Sequence, residues 1–448
     1  NGSTTHVLAP VVYMAQTHAN DLQPTGALIA ADDVEIHATG STTNSGVIKG
    51  GTRTVLTATD ILNRGGTISS SGRNGTTVVS TSNDVVNASG QITGNRVAVL
   101  AGRDIVNTTL VDTVGATGTS GASKVSTSLI GQQGTIAATG DLSVQAARDL
   151  RIHSANLSAG GDALVTAGRD INVDTVQSTT NQSMYLNDQH HWEESTTKNV
   201  TSGITAGGSL GMQSGNDMTL KGATVSAGKD LSALAGGNLT ATTVTDTAKL
   251  DNVAADSKTR KEVDHNYDEH AVGTQFTAGG NAALGAASTD VSKGNVTLTG
   301  SSLTAGMTNG VENGTGAANI VATGNVTINE AREEHDKYQS VQVQRGSFVS
   351  STKTDSMQNT QANVGVGSTV SGNTVNIQSG RDLTVQGSTV VGTNDVNLSA
   401  ANNVNITTSK DTVTQDSYYH ETHSGIGTSG LNVSIGTQTK KDTDHASS

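Results

Sequence analysis

A short pattern of apolar and polar residues recurs along the chain at alternating steps of 8 and 13 residues. Each unit is Asp or Asn followed by apolar, polar and apolar positions, as in Asp149-Leu150-Arg151-Ile152 and Asp170-Ile171-Asn172-Val173. Alternation with period two places both apolar side chains on one side of an extended strand and the polar one on the other. The resulting 21-residue period is typical of a solenoid, whose units bury an apolar face only by stacking.

Ten units of this kind follow the same two steps, although they are interrupted twice. Gly in Ala-Gly-Arg, Ala-Gly-Lys or Ser-Gly-Arg precedes many of them and suits a tight corner, where we expect the Asp or Asn to bond its own backbone. A weaker third strand, Ala155-Asn156-Leu157-Ser158, completes a three-sided coil. We therefore predict an all-β fold, a right-handed parallel β-helix. The units begin at Asp141, Asp149, Asp162, Asp170, Asp217, Asp230, Asn238, Asp382, Asp395 and Asn403.

The composition agrees with a solenoid and excludes several other classes. The chain has 448 residues with 53 Gly, 2 Pro, no Cys and 2% aromatic residues, so its core must be aliphatic. Both prolines, Pro10 and Pro24, precede the coils, where a missing N–H would break a strand ladder. The net charge of −13 argues against a nucleic-acid partner. The absence of Cys excludes disulfides and zinc thiolates.

Three regions follow from the pattern. Residues 1–28 lack the repeat and are interpreted as the tail of a preceding region. Residues 29–173 are predicted to be β-helix coils, the first of them irregular, with variants such as Asp60-Ile61-Leu62-Asn63. Residues 174–448 are predicted to be coils interrupted by four long inserts. Over the whole chain, the residues outside those inserts suffice for about 14 coils. The inserts span about 174–209, 243–280, 329–369 and 408–448.

Each insert places aromatic residues among acidic residues and His. From Trp192 to Tyr418 these aromatics are 75, 71 and 80 residues apart, so a longer repeat overlies the coil repeat. Alternating segments such as Tyr338-Gln339-Ser340-Val341 predict projecting β-hairpins. The aromatics either pack the hairpins against the rod or contact a partner. The candidate partner-binding residues are Trp192, Tyr267, Tyr338, Tyr418 and Tyr419.

No catalytic residue, metal ligand or cofactor site is predicted. The recurrent Asp residues sit at corners, which leaves a carbohydrate-active β-helix enzyme as a minor alternative. His420-Glu421-Thr422-His423 would place its two imidazoles on opposite sides of a strand, and the same holds for His190-His191. Neither pair is arranged as a zinc site.

The repeated Ala-Gly-Arg/Lys-Asp-Leu/Ile units, interrupted by Thr- and acid-rich excursions with Tyr or Trp, resemble the filamentous haemagglutinin-type exoproteins of Gram-negative two-partner secretion. The similarity covers about residues 29–448 and is greatest to the second haemagglutinin-repeat region of contact-dependent growth inhibition effectors. It implies a secreted cell-surface protein that uses an outer-membrane secretion partner. It further implies a region, held in the periplasm before delivery, that helps a C-terminal toxin cross the outer membrane of a target cell.

Two departures from that family pattern concern what surrounds the segment. The amino-terminal secretion domain and the toxin are both missing, and Val311-Glu312-Asn313-Gly314 is only superficially similar to the pre-toxin signature. The alternative function is a filamentous adhesin whose hairpins bind a surface protein or glycan. Neither function requires nucleic acid or a small-molecule substrate.

Overall fold

The computed structural model describes residues 27–119, 121–308, 310–429 and 432–447. These residues form 44 strands and no helix, so the described chain offers no helical segment that could cross a membrane. The tail predicted for residues 1–28 falls almost entirely outside the described residues.

The strands of the first half of the chain are β1 (Leu28–His37), β2 (Thr42–Asn44), β3 (Val47–Ala58), β4 (Ile61–Arg64), β5 (Thr67–Ser70), β6 (Thr76–Thr81), β7 (Val85–Ala88), β8 (Gln91–Gly94), β9 (Arg96–Ala101), β10 (Ile105–Thr108), β11 (Val111–Thr117), β12 (Ser123–Ile130), β13 (Thr135–Ala138), β14 (Leu142–Ala146), β15 (Leu150–His153), β16 (Asn156–Ala159), β17 (Ala163–Ala167), β18 (Ile171–Asp174), β19 (Val176–Asn187), β20 (His190–Val200), β21 (Gly203–Ala206) and β22 (Leu210–Ser214). Those of the second half are β23 (Met218–Lys221), β24 (Thr224–Ala227), β25 (Leu231–Ala235), β26 (Leu239–Thr242), β27 (Val244–Ala254), β28 (Arg260–Val272), β29 (Gln275–Ala278), β30 (Ala282–Ala286), β31 (Val296–Thr299), β32 (Ser302–Thr304), β33 (Met307–Thr308), β34 (Val311–Glu312), β35 (Ala317–Ala322), β36 (Val326–Asn329), β37 (Ala331–Gly346), β38 (Ser350–Val366), β39 (Thr369–Ser379), β40 (Leu383–Gln386), β41 (Thr389–Ala400), β42 (Val404–Thr407), β43 (Thr412–Ser429) and β44 (Asn432–Ser447).

The rod has three faces of parallel strands, which confirms the predicted β-helix. One face has a single strand per coil and is termed the twelve-stranded face; it runs β2-β4-β7-β10-β15-β18-β23-β26-β31-β36-β40-β42. The other two faces belong to one twenty-stranded sheet, because long strands such as β3 and β39 run through both. The described residues therefore hold twelve coils, compared with the predicted 14 or so.

Stacked coils align the inward side chains of the repeat into columns. Ile171 lies opposite Leu150 of the preceding coil and Met218 of the following one, and all three are fully buried. Asn172, between two inward residues, is half-exposed. Such columns form one continuous aliphatic core, as the alternation predicted.

The corner Asp and Asn residues act differently from our expectation. Their side chains do not bond their own backbone. Before the last described coil, each accepts the N–H of the equivalent residue one coil further on. Asp149 N donates to Asp104 Oδ1 at 3.1 Å, and Asn238 N donates to Asp217 Oδ1 at 2.8 Å. In a solenoid the next coil lies one strand spacing away and offers an unpaired corner N–H, so the side chain satisfies it.

Arg residues at the Ala-Gly-Arg and Ala-Ala-Arg corners extend this ladder in three successive coils. The guanidinium of Arg148 binds both oxygens of Asp104, and that of Arg169 binds both oxygens of Asp149. These hydrogen bonds hold the pKa of Asp104 and Asp149 below its usual range, as the Arg103 guanidinium does for Asp84. Asp149 itself is buried.

We expect the rod to be insensitive to mild acid but to lose stability at low pH. Because the folded-state pKa of these carboxylates lies below the unfolded one, their contribution is complete above the unfolded value. It is lost as the pH falls below about 4. Asp149→Asn should cost about 1–3 kcal/mol at pH 7 and flatten the loss at low pH. Urea unfolding between pH 7 and pH 3 measures both effects.

Asp162→Asn is the matched control. Asp162 also accepts an N–H of the next coil, from Ser209 at 2.8 Å, but it forms no ion pair within the described residues. It should change stability by less than about 1 kcal/mol. Equal losses for the two variants would contradict the role assigned to the Arg–Asp pairs.

In the first coils an Asn ladder replaces one inward apolar column. Asn44, Asn63, Asn87 and Asn107 are buried, and each side-chain amide of the first three donates to the next at 2.8 Å. The last amide donates to the backbone oxygens of Gly134 and Asn156. The ladder satisfies these buried amides, so the irregular variant units still fold as coils.

Candidate functional site

Five β-hairpins leave the rod at the same edge, each directly after a strand of the twelve-stranded face. They are hairpin 1 (β11 and β12), hairpin 2 (β19 and β20), hairpin 3 (β27 and β28), hairpin 4 (β37 and β38) and hairpin 5 (β43 and β44). From β10 to β42 every second coil carries one. Together they form a ten-stranded antiparallel sheet, termed the hairpin sheet.

The coils without a hairpin turn this corner with one residue in the left-handed region. It is Ser154 (φ 48°) after β15 and Gly222 (φ 58°) after β23. This corner residue also contacts the base of the hairpin on the next coil. At the first such corner, Val176 N donates to Ser154 Oγ at 2.5 Å. At Gly222 an added Cβ would lie 2.6 Å from Val244 Cγ2, so the missing side chain leaves room for the base of hairpin 3.

The alternation of coils explains why the hairpins join. Coils stack at about 4.8 Å, so hairpins on every second coil begin about 9.6 Å apart. A hairpin is two strands wide, which is also about 9.6 Å. Neighbouring hairpins therefore meet at pairing distance, and β20 pairs with β27, β28 with β37, and β38 with β43. The hairpin sheet is commensurate with the rod.

The five candidate aromatic residues all lie in the hairpin sheet, on both of its sides. The register carries the row of Trp192 across the sheet to Ser417, so Tyr419 points to the same side as Trp192. Tyr267, Tyr338 and Tyr418 point to the other side. All five aromatic side chains are half-buried.

Local contacts fix three of these aromatic rings. Tyr267 donates its hydroxyl to Glu269 at 2.7 Å, and that bond raises the pKa of Tyr267 to about 12. The Tyr338 ring lies 5.7 Å from the His265 ring. Tyr419 donates to Glu421 at 2.5 Å. These three rings are therefore held in place while one part of each remains accessible to a partner.

Histidine–carboxylate pairs join neighbouring hairpins. His335 of hairpin 4 lies 2.6 Å from Asp268 of hairpin 3, a bond that raises the pKa of His335. His190 of hairpin 2 lies 3.0 Å from Asp256 at the end of hairpin 3. The described residues include no group of three or more His, Cys, Asp or Glu side chains placed to hold a metal ion.

Two features of the site are not evident from the sequence. Hairpin 1 has no aromatic residue, so the aromatic signal does not mark it; the 45-residue step from Asp104 to Asp149, about twice a coil, was the available sign. Phe276, inside the second predicted insert (about 243–280), instead belongs to rod strand β29 and is fully buried. The inserts therefore contribute fewer exposed aromatics than the sequence suggested.

Comparison with known proteins gives a consistent set of relatives. The Hemagglutinin repeat family matches residues 107–191, 183–257, 254–422 and 349–447. The chain is 31% identical over 434 residues to tRNA nuclease CdiA-2 of Burkholderia pseudomallei strain 1026b, covering 96% of this chain and 13% of that protein. It is 33% identical over 394 residues to Deoxyribonuclease CdiA of Dickeya dadantii strain 3937, covering 86% of this chain and 11% of that protein.

The chain spans 13% and 11% of the length of the two relatives. No solved structure gives a significant match to the chain.

Proposed function

The chain belongs to the Hemagglutinin repeat family, and on this basis we propose that it is a non-enzymatic rod and delivery segment of a large secreted exoprotein. In this proposal the exoprotein reaches the surface of a Gram-negative cell through an outer-membrane secretion partner. The segment, held in the periplasm before delivery, then helps a C-terminal toxin cross the outer membrane of a neighbouring target cell.

The names of the relatives support a role that is independent of the toxin's chemistry. One is named as a tRNA nuclease and another as a deoxyribonuclease, yet both align with most of this chain. A region shared by proteins with different nuclease substrates is expected to serve a step that both need. The chain's charge of −13 is also unsuited to binding a nucleic-acid substrate.

The observation that carries the proposal is the continuous hairpin sheet. Relative to the rod, whose outer surface is mostly small and polar, the sheet concentrates aromatic and charged side chains in one layer along one edge. Its two outer strands, β11 and β44, have one unpaired edge each among the described strands. A continuous sheet that presents aromatic and charged side chains suits contact with a target-cell surface or receptor better than the surface of the rod does.

We expect the five aromatics to be needed for toxin entry. In the full-length exoprotein, replacing Trp192, Tyr267, Tyr338, Tyr418 and Tyr419 by Ser should reduce target-cell killing by at least about tenfold. Secretion and surface display should be unchanged, because the rod core is untouched. Killing of target cells in co-culture, with surface display measured on the same cells, checks the result.

Two control variants separate partner contact from folding. Tyr→Phe at the four tyrosines keeps the rings and removes only the hydroxyl bonds, so it should retain most killing. Ser at three exposed apolar residues of the rod, Leu164, Leu234 and Val321, should be neutral. Undiminished killing by the five-residue Ser variant would reject the proposal. Loss of binding to target cells would favour the adhesin alternative, whereas loss of entry after binding would support delivery.

A further inference from the structure

The tip of hairpin 4 presents apolar side chains to solvent. Phe348, in the turn between β37 and β38, is fully exposed, and its neighbour Val349 is 52% exposed. Ile426 of hairpin 5 is 48% exposed and its N–H donates to Val349 O at 3.1 Å, which places it beside that tip. These three residues form a small apolar cluster, and about half or more of each side chain is exposed to solvent.

The apolar tip is held in a defined turn. Ser347 N donates to Ser350 O at 2.7 Å, and the two serine hydroxyls lie 3.2 Å apart. The bond from Ile426 to Val349 ties the turn to the next hairpin. Phe348 is therefore presented at little further cost in backbone entropy.

Charge is segregated within the hairpin sheet. Its distal margin, defined as residues 255–261, 342–355, 420–429 and 432–441, carries only three acidic residues, Asp256, Asp355 and Glu421. The rest of the five hairpins has sixteen acidic residues and five basic ones. The margin thus has a net positive charge in a chain whose net charge is −13. Its seven basic residues are Lys258, Arg260, Lys261, Arg345, Lys353, Lys440 and Lys441.

Several of these cations surround an open hollow of about 730 Å³ beside the tip. It forms where hairpin 3 ends against the longer hairpin 4, with Gln344 N donating to Thr259 O at 2.7 Å. Lys258, Arg260, Lys261 and Lys353 line it. Arg260 pairs with Glu262 and Lys353 with Asp355, but Lys258 and Lys261 form no ion pair within the described residues.

We propose that this distal margin docks on a lipid bilayer that bears anionic phosphate headgroups, with Phe348, Val349 and Ile426 inserted at the interface and the surrounding cations on the phosphates. The inference rests on the proposed function in that the target-cell membrane would supply this surface. Apolar side chains surrounded by Lys and Arg are the combination that binds anionic membranes. The proximal acidic part of the sheet would be repelled, which orients the sheet with its tips toward the bilayer.

The combination favours lipid over the other anionic partners. A nucleic acid would use the cations, but the aliphatic Val349 and Ile426 gain little from stacking on bases. A protein partner would be expected to meet a larger apolar surface than three side chains. A bilayer accommodates a small wedge together with a broad ring of cations.

Sedimentation with vesicles tests the docking directly. The full 448-residue chain is mixed with vesicles of phosphatidylethanolamine and phosphatidylglycerol (3:1) or of phosphatidylcholine alone. We expect binding to the anionic vesicles that weakens with added salt, and little binding to the neutral ones. Phe348→Ser should lower the affinity at least about tenfold. Replacing Lys258, Lys261 and Arg345 by Gln should lower it about fivefold for each charge removed.

Matched variants on the rod provide the controls. Val291→Ser removes an apolar side chain that is 81% exposed, and Gln at Lys49, Arg73 and Lys229 removes three exposed cations. Both variants should bind as the unchanged chain does. Docking is refuted if the unchanged chain ignores anionic vesicles, if the rod variants lose as much affinity as the tip variants, or if an oligonucleotide displaces the vesicles.

The same substitutions separate this inference from the proposed function. If Phe348→Ser abolishes vesicle binding but the full-length exoprotein kills normally, the membrane site stands but is not needed for toxin entry. If the five-residue Ser variant also kills normally while the unchanged chain binds vesicles, the membrane site stands and the delivery role fails. If the chain does not bind vesicles while the five aromatic substitutions still abolish toxin entry, delivery stands and the membrane site fails.

Discussion

Replacing Ile171 by Asp is expected to cost more than about 4 kcal/mol and to unfold the coils around β18. The side chain is fully buried between Leu150 and Met218, so a carboxylate there would have neither water nor a cation. Coils interact mainly with their neighbours, so we expect the damage to centre on β15, β18 and β23 rather than to spread over the whole rod. Urea unfolding and amide hydrogen exchange measure the size and the extent of the effect.

The neighbouring position provides the control. Asn172 is half-exposed on the outer side of the same strand, beside Arg151 of the preceding coil, so Asn172→Asp should change stability by less than about 0.5 kcal/mol. Ile171→Val keeps the site apolar and should cost about 0.5–1.5 kcal/mol. Similar losses for Ile171→Asp and Asn172→Asp would invalidate the inside–outside assignment of the repeat.

The rod was predictable because its rules are local and repeated. The alternation of apolar and polar residues identifies the inward side chains of each strand. The next coil repeats the same pattern, as in Leu150 and Ile171. The Asn ladder was not predictable in this way. Asn87 occupies an inward position where the repeat normally has an apolar side chain, and it is tolerated only because Asn63 and Asn107 in neighbouring coils pair with it.

The hairpin sheet was only partly predictable. The aromatic spacings of 75, 71 and 80 residues equal two coils plus a hairpin, so the long repeat was visible. That the hairpins pair with one another depends on the match between two coil rises and two strand widths, which is a relation in space rather than in sequence. The tip cluster depended on knowing that Phe348 packs against nothing, which only the folded chain reveals.

Because the spacing of the hairpins in the sheet equals the rise of two coils, we expect the hairpin sheet to tolerate a large deletion better than a small one. Removing residues 203–223 deletes one coil, because β24 then takes the place of β21. Hairpins 2 and 3 would leave adjacent coils about 4.8 Å apart, although each needs about 9.6 Å. Pairing between β20 and β27 should be lost, and one hairpin should be displaced from the sheet.

Removing residues 203–274 instead deletes two coils and hairpin 3 together. Strand β29 then takes the place of β21, and hairpin 2 lies about 9.6 Å from hairpin 4, so β20 can pair with β37 in an eight-stranded sheet. Trypsin should cleave the hairpins of the small-deletion variant at least about tenfold faster than those of the large-deletion variant, because unpaired strands open locally. If the small deletion left the hairpins as resistant as in the full chain, the commensurate spacing would not be what holds the sheet together. A large-deletion variant that lost its hairpin protection would lead to the same conclusion, since its coil spacing is unchanged.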